Sequence, residues 1–211
     1  RVNSSKLLYK VLKNNTHKVN QLLSASAIGI YEDSLTAIYN EESTVFSNTF
    51  LGEVVQKWEA SVSVFSTLNI KVAKVRIGVV LSSSGGALEK IIQPIKWGLG
   101  APLDSGKQVM SWIHLSDLSQ LIIFLMQENK KGVFNAVAPN PVTNSELTKE
   151  IASKLKKPLL LPNVPKFVLK LMLGEMHQIV CESQNVSSEK IEGQGFCFTY
   201  SNMNEALDNL L

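Results

Sequence analysis

The apolar positions of the chain follow two periods, one typical of amphipathic helices and one typical of buried strands. Apolar side chains recur every three or four residues over 49–66, which predicts a helix there. Its predicted inward positions are Phe50, Val54, Trp58, Val62 and Phe65. β-branched residues concentrate in 70–81, which predicts one continuous strand. Strands and helices alternate as far as residue 138, a pattern typical of a parallel sheet covered by helices.

The other predicted elements continue this alternation as far as residue 138, and beyond it they are mostly helices. Strands are predicted at 19–27, 108–114 and 133–137, and helices behind Ser4 and Ser5, after Gly85-Gly86, near Ser116, at Pro165 and after 196–200. The first helix is expected to turn Leu7, Leu8, Val11 and Leu12 inward, and the helix at Pro165 to bury Phe167, Met172 and Met176. Thr143 to Glu146 reads as a capping box that starts a helix reaching about Lys157. Only about three parallel strands result, so we expect the second half of a larger sheet.

Composition and charge exclude several classes of protein. Hydrophobic residues make up 45% of the chain and charged residues 18%, which is typical of a folded globular protein. The net charge of +3 is too small and too scattered to predict nucleic-acid binding. The longest apolar run, 121–126, is far shorter than the ~20 residues of a membrane span. Neither Cys181 nor Cys197 has metal-site spacing, so we expect a cytoplasmic protein with reduced thiols and no metal.

Several segments, in a fixed order along the chain, resemble one family. They are 24–31 (SASAIGIY), 75–81 (VRIGVVL) with 85–87, 106–108 leading into 111–118 (SWIHLSDL), and 134–144 (FNAVAPNPVTN). Together with 58–60 (WEA) and the tail segments 173–176 and 195–200, they are similar to the atypical extended short-chain dehydrogenase/reductases. Members of this group are described as NAD-dependent epimerase/dehydratase or nucleoside-diphosphate-sugar epimerase family proteins. The resemblance covers nearly the whole chain.

The resemblance implies a fold, a cofactor and a class of substrate. The implied fold class is α/β: the C-terminal half of a Rossmann-type parallel sheet, formed by 1–82 and 108–138, with a small helix-rich substrate-side domain formed by 83–107 and 139–211. The implied cofactor is NAD(P), with NADP slightly preferred, and the implied partner is a small-molecule substrate such as a nucleotide sugar.

The glycine-rich turn that anchors the cofactor pyrophosphate in such folds has no counterpart in the sequence. Leu103 and Phe198 occupy the third glycine positions that would follow Gly98-x-Gly100 and Gly193-x-Gly195. We therefore expect the chain to be a fragment of the family fold, or the product of a truncated gene.

Two catalytic candidates follow from the resemblance. Ser26 matches the family's serine, which hydrogen-bonds substrate near the nicotinamide; the alternative is a small strand-end residue that permits close approach of a neighbour. Tyr31 is the nearby phenol and the candidate stand-in acid. The usual Tyr-x-x-x-Lys pair is absent from the following helix, and the pair Tyr9 to Lys13 falls on the wrong helix.

Candidate binding residues lie on either side of these two. Those assigned to the cofactor are Ser24, Ala25, Arg76, Gly78 and Val79, and those assigned to the substrate are Gly85, Gly86 and Trp112. Arg76 lies inside a predicted strand, where it must reach a carboxylate or face an anionic ligand, because burial of an unpaired charge is costly. The loop 82–86 precedes a helix whose free amides suit a phosphate, although it could equally be an ordinary capped turn.

Three functional hypotheses stay open at this point. The intact protein is an NAD(P)-dependent epimerase or oxidoreductase, assisted by Ser26. Alternatively, loss of the Tyr-x-x-x-Lys pair marks a cofactor-binding pseudoenzyme that senses redox state or binds a partner. The third hypothesis is a truncated, non-functional remnant whose sheet edge would be exposed and prone to aggregation.

Overall fold

Three parallel strands lie at the centre of the structure, a computed structural model that describes residues 1–174 and 177–211. Numbered in chain order with the other strands, they are β1 (Gln21–Ala27), β3 (Lys71–Ile77) and β7 (Gly132–Ala136). They lie side by side in the order β1-β3-β7, with every pairing parallel. The predicted α/β class and parallel sheet are thereby confirmed.

Shorter strands and a series of helices surround this sheet. The paired strands are β2 (Ile38–Tyr39) with β9 (Asn185–Val186), β4 (Val79–Leu81) with β6 (Trp112–His114), and β5 (Val109–Met110) with β8 (Val142–Thr143). The α-helices are α1 (Val2–Asn14), α2 (Phe50–Ser63), α3 (Ala87–Lys96), α4 (Leu115–Gln127), α5 (Asn144–Lys154), α6 (Lys166–Leu173), α7 (His177–Cys181), α8 (Glu189–Gly193) and α9 (Met203–Leu210). Short 3-10 helices cover Ile28–Ile30 and Val64–Leu68.

Side chains of the central sheet alternate between two faces, as the two-residue period of a strand requires. One face places Val75 and Phe134 against α4 in a buried apolar cluster. The opposite face places Leu22 and Val72 against Trp58 of α2. Helices therefore cover both faces, and burial of these apolar side chains supplies most of the drive to fold.

The predicted strand 70–81 is two strands in the structure, and so is the predicted strand 108–114. β3 ends at Ile77 and β4 begins at Val79, while Ser111 separates β5 from β6. Gly78 and Ser111 meet at this break: a Cβ on Gly78 would lie only 2.5 Å from the Ser111 carbonyl oxygen. The chain can bend there because glycine allows such close backbone approach. The predictions of continuous strands were wrong at these two points.

Helix α2 occupies the predicted place but turns a different side toward the sheet. Phe50 is 76% exposed and Val54 43% exposed, so these two predicted inward positions were wrong. The buried side carries Val55 and Glu59 together with Val62, and Val62 and Phe65 are buried as predicted. This rotation pairs the Glu59 carboxylate with the buried guanidinium of Arg76.

The first helix and α6 also expose side chains that the sequence pattern predicts to be buried. α1 begins at Val2, so Ser4 and Ser5 lie within the helix rather than capping it, and Leu7 is 65% exposed. In α6, Phe167 is 74% and Met172 73% exposed. The prediction for Met176 lies outside the described residues.

Several helix starts follow directly from the local sequence. The capping box at α5 is confirmed, since the Thr143 side chain accepts from the Glu146 amide and the Glu146 side chain accepts from the Thr143 amide. At α2 the cap is one-sided: the Thr49 side chain accepts from the Gly52 amide. At α4 the cap is His114, whose Nδ1 accepts from the Ser116 amide. None of the helices in the described ranges is long and apolar enough to cross a membrane.

We expect Gly78→Ala to destabilise the protein by about 2–3 kcal/mol, because the new methyl would overlap backbone at the strand break. Besides the Ser111 carbonyl, its Cβ would meet the Val137 side chain at 2.8 Å. Urea unfolding measures the change. Gly193→Ala is the matched control, since a Cβ there meets nothing within 4 Å. Equal stability of the two variants would contradict the close approach.

We expect His114 to make stability depend on pH. Burial lowers the pKa of His114 below its ordinary value of 6.5, so the unfolded chain takes up this proton first. Its contribution is complete above pH 6.5 and is lost as pH falls through 6.5 toward the folded-state value. His114→Asn keeps a hydrogen-bond acceptor for the Ser116 amide but cannot become protonated.

The stability advantage of the wild-type chain over His114→Asn should therefore shrink between about pH 7.5 and about pH 5.5 in urea unfolding. His17→Asn, at an exposed histidine, provides the control. A wild-type advantage that is the same at both pH values would contradict this assignment.

Candidate functional site

Three polar side chains share one register position across the central sheet. Ser26 of β1 is paired in register with Arg76 of β3, and Arg76 with Asn135 of β7. Each is the penultimate residue of its strand, close to the carboxyl edge of the sheet. Ligands of open parallel sheets bind outside that edge, so this row marks the candidate site.

Helix α2 supplies the carboxylate that faces this row. Arg76 donates from Nε to Glu59 Oε1 at 2.9 Å and from Nη2 to Oε2 at 3.0 Å, a two-pronged ion pair. Both residues are buried, with Arg76 3% and Glu59 6% exposed. Lys74 lies two residues before Arg76 on β3 and so on the same face of the sheet. Its Nζ is 3.9 Å from Glu59 Oε2, a more distant contact. Of the two alternatives for Arg76, the structure shows the carboxylate partner.

Ser26 is joined to the same carboxylate. Its hydroxyl donates to Glu59 Oε1 at 2.6 Å, and the side chain is buried. The hydroxyl lies at the strand end where the sequence places it, with its proton directed toward α2.

Tyr31 enters the network from the far side of Arg76. Its ring is fully buried and stacks on Tyr39, with centroids 5.1 Å apart. The hydroxyl accepts from Arg76 Nη1 at 2.9 Å and lies 2.8 Å from Asn135 Oδ1, to which it donates. The Asn40 carbonyl oxygen lies 3.0 Å from the hydroxyl and shares its single proton with Asn135. Tyr31 is thus a buried bridge between Arg76 and Asn135.

Electrostatics fix the protonation states of these groups. Burial alone would raise the pKa of Glu59, but hydrogen bonds from Arg76 and Ser26 outweigh it and hold the pKa below the ordinary 4.5. Burial likewise opposes the charge on Arg76, yet Glu59 and Tyr31 keep its pKa above the usual value. Burial raises the pKa of Tyr31 above 10.0, although Arg76 opposes the rise. Near neutral pH the network therefore holds one anion, one cation and a neutral phenol.

The remaining residues predicted to contact the cofactor lie at the same edge of the sheet. Ala25 is exposed on the outer strand β1, and Ser24 is half-buried with its hydroxyl turned to the Ala25 carbonyl. Gly78 and Val79 follow the end of β3, where their amides donate to the Ala136 and Ser111 carbonyls. Their assignment to a cofactor stays a prediction.

The residues predicted to contact substrate do not join the network. Trp112 is fully buried in an apolar core cluster, and its indole nitrogen donates to the Asn140 carbonyl at 2.9 Å. Its assignment to substrate stays a prediction. Gly85 borders a separate surface cavity of about 450 Å³ that Ser82 and Lys96 also line. Gly86 directly precedes α3 with a φ of 85°.

Two members of the network, Glu59 and Asn135, were not among the predicted site residues. A signal for Glu59 existed in the sequence, because it is spaced with Val55 and Val62 as one helix side and could answer the charge of Arg76. Asn135 gave no such signal, since its partner Tyr31 lies 104 positions away in the chain.

The arrangement favours binding and orientation over proton transfer. Tyr31 is buried with an elevated pKa, so the candidate stand-in acid does not face solvent. Glu59 is tied to Arg76 by both oxygens. Within residues 1–174 and 177–211, no cluster of three or more His, Cys, Asp or Glu side chains could hold a metal ion.

Comparison with known proteins finds similar sequences and a matching family of domains. An epimerase family protein of Staphylococcus aureus (strain MRSA252) is 36% identical over 212 residues, which is 100% of this chain and 70% of that protein. A family described as Domain of unknown function (DUF1731) matches residues 164–210.

Two solved structures are similar over the whole length of the chain. The human epimerase family protein SDR39U1 (isoform 2), solved with NADPH, has a TM-score of 0.89 and 27% identity, covering 99% of this chain and 71% of that one. A nucleoside-diphosphate sugar epimerase from Corynebacterium glutamicum has a TM-score of 0.82 and 28% identity, covering 100% of this chain and 41% of that one.

We expect Arg76→Met to cost about 3–5 kcal/mol of stability, because it leaves the Glu59 carboxylate buried without its cation. The double variant Glu59→Gln/Arg76→Met removes both charges and should be less destabilised than Arg76→Met alone. Urea unfolding near neutral pH measures these two variants and the single variant Glu59→Gln. Lys57→Met serves as control: Lys57 pairs with Glu53 on the exposed side of α2, a pair worth about 0.5 kcal/mol or less. A double variant as unstable as the sum of its single variants would contradict a coupled pair.

Proposed function

The chain belongs to the epimerase family proteins, and from that premise we propose that its sheet edge serves an NAD(P)-dependent epimerase or oxidoreductase. The observation that carries this proposal is the row of Ser26, Arg76 and Asn135 at the carboxyl edge of three parallel strands. That edge is where dinucleotides lie in folds of this class. The dinucleotide would accept or return a hydride at a carbon of the substrate.

The residues at the strand end fit the reactive end of such a cofactor. Ser24, Ala25 and Ser26 are small, and Ala25 is exposed on the outer strand, so a flat ring could approach the backbone closely. The buried Glu59–Arg76 pair is electrically balanced and would present no net charge to the ring. The pyrophosphate anchor has no counterpart in these 211 residues, so the proposal concerns the nicotinamide end alone.

The finer parts of the proposal concern cofactor and substrate. We place NADP ahead of NAD because the human relative was solved with NADPH, and a nucleotide sugar ahead of other small molecules because another relative is named a nucleoside-diphosphate sugar epimerase. We expect the reaction to take place in the cytoplasm. Gly85 and Gly86, beside the cavity that Ser82 and Lys96 line, are our candidates for the substrate phosphates.

A second candidate function is a cofactor-binding pseudoenzyme that acts through a partner protein. Two observations favour it: the helix after Ser26 lacks the Tyr-x-x-x-Lys pair, and the nearby phenol of Tyr31 is fully buried. The two candidates differ in whether bound cofactor is turned over.

Titration with NADPH and NADH tests the proposal, with the fluorescence of Trp58, Trp97 and Trp112 as the signal. The titration uses this chain and a version extended upstream to a start codon. We expect saturable binding by the extended version, with NADPH bound more tightly than NADH. Binding without conversion of any nucleotide sugar would favour the pseudoenzyme. No binding of either nucleotide by either form would rule out the dinucleotide-dependent function.

A further inference from the structure

Ser26 holds its proton in a direction that limits what it can offer a ligand. A serine hydroxyl has one proton to donate and two lone pairs that accept. In this structure the proton is donated to Glu59 Oε1 at 2.6 Å. Among the residues that the structure describes, none donates a hydrogen bond to Ser26 Oγ. The group that Ser26 can present to a bound molecule is therefore a pair of acceptor sites.

The reverse assignment, in which Glu59 carries a proton and donates it to Ser26, conflicts with the geometry around the carboxylate. Arg76 Nε already donates to Oε1, the same oxygen that Ser26 approaches, and Arg76 Nη2 donates to Oε2. A guanidinium stays charged and has only donors, and its two hydrogen bonds to the carboxyl group favour the ionised form of Glu59, which can only accept. An O–H···O distance near 2.6 Å is also typical of a hydroxyl that donates to an ionised carboxylate.

We propose that Glu59 is a positioning residue that makes Ser26 a fixed hydrogen-bond acceptor, and that the donor it receives is the carboxamide N–H of the bound nicotinamide. The proposal rests on the proposed function, because it requires a dinucleotide at this edge of the sheet. In this proposal Arg76 keeps Glu59 ionised and fixes the orientation of its carboxylate.

The choice of the carboxamide follows from the chemistry that can meet an acceptor at this place. A carbonyl oxygen facing Ser26 would set two acceptors against each other in a nearly buried position, which is costly. Of the groups on the reactive ring of NADPH, the cofactor in the human structure described above, the carboxamide carries N–H donors. Ser26 is only 4% exposed, so a group that reaches its oxygen must be small.

The test compares NADP⁺ with its 3-acetylpyridine analogue, in which a methyl group replaces the carboxamide nitrogen and the carbonyl is kept. Calorimetric titration gives both dissociation constants. It uses whichever of the two forms, this chain or the extended version, binds NADPH in the fluorescence titration. We expect wild type to prefer NADP⁺ by about tenfold, the value of one good hydrogen bond to a buried acceptor. Ser26→Ala should bring this preference close to one, since it removes the acceptor.

Glu59→Asp tests the positioning role. The shorter side chain keeps a negative charge beside Arg76 but withdraws the carboxylate from Ser26, so the hydroxyl is free to turn and the preference should fall. Matched controls on the same helix are Ser61→Ala, whose hydroxyl donates to the Trp58 carbonyl, and the exposed Glu53→Asp. Both controls should keep the wild-type preference. Circular dichroism and thermal melting establish that each variant is folded.

The outcomes separate this inference from the proposed function. A preference that is unchanged in folded Ser26→Ala overturns the inference while leaving dinucleotide binding intact. A preference that disappears in Ser26→Ala but persists in folded Glu59→Asp overturns the positioning role of Glu59. If Glu59→Asp does not fold, Ser26→Ala still decides whether Ser26 accepts from the carboxamide. Absence of NADP⁺ binding by wild type in both forms overturns the proposed function itself.

Discussion

The buried ion pair between Arg76 and Glu59 is the constraint on which the candidate site depends. A guanidinium inside a sheet is tolerable only with a carboxylate held against it, since the loss of hydration of each ion costs several kcal/mol. That requirement sets the rotation of α2, which buries Glu59 and leaves Phe50 and Val54 in solvent. Ser26 and Tyr31 then take orientations dictated by the same two ions.

A second constraint is the interruption of two strands, one at Gly78 and the other at Ser111. There the polypeptide leaves the central sheet and pairs β4 with β6, and the Val79 amide donates to the Ser111 carbonyl. The Ser111 hydroxyl in turn donates to the Gln184 carbonyl and accepts from the Val186 amide. The C-terminal part of the chain is thus joined to the sheet directly beside the carboxyl edge that carries the site.

The chemistry available at this edge differs from that of a reductase with a serine, tyrosine and lysine set. In such a set a lysine lowers the pKa of an accessible phenol, whereas here burial raises the pKa of Tyr31 and encloses its hydroxyl between Arg76 and Asn135. Ser26 therefore neighbours a fixed charge pair rather than a proton donor. The assignment of Tyr31 as a stand-in acid stays a prediction.

The sequence by itself determined the α/β class, the capping box at Thr143, the placement of Ser26 at a strand end and that of Arg76 within a strand, because these depend on local periodicity and on the chemistry of neighbouring residues. That the strand of Arg76 ends at Ile77, one residue later, came only from the structure. The sequence also raised the need for either a carboxylate partner or an anionic ligand for Arg76. Only the tertiary structure decided that the partner is Glu59, that Tyr31 is enclosed and that Trp112 is core. Such choices depend on contacts between residues as far as 104 positions apart, and on which side of α2 costs least to bury, a balance that no local pattern contains.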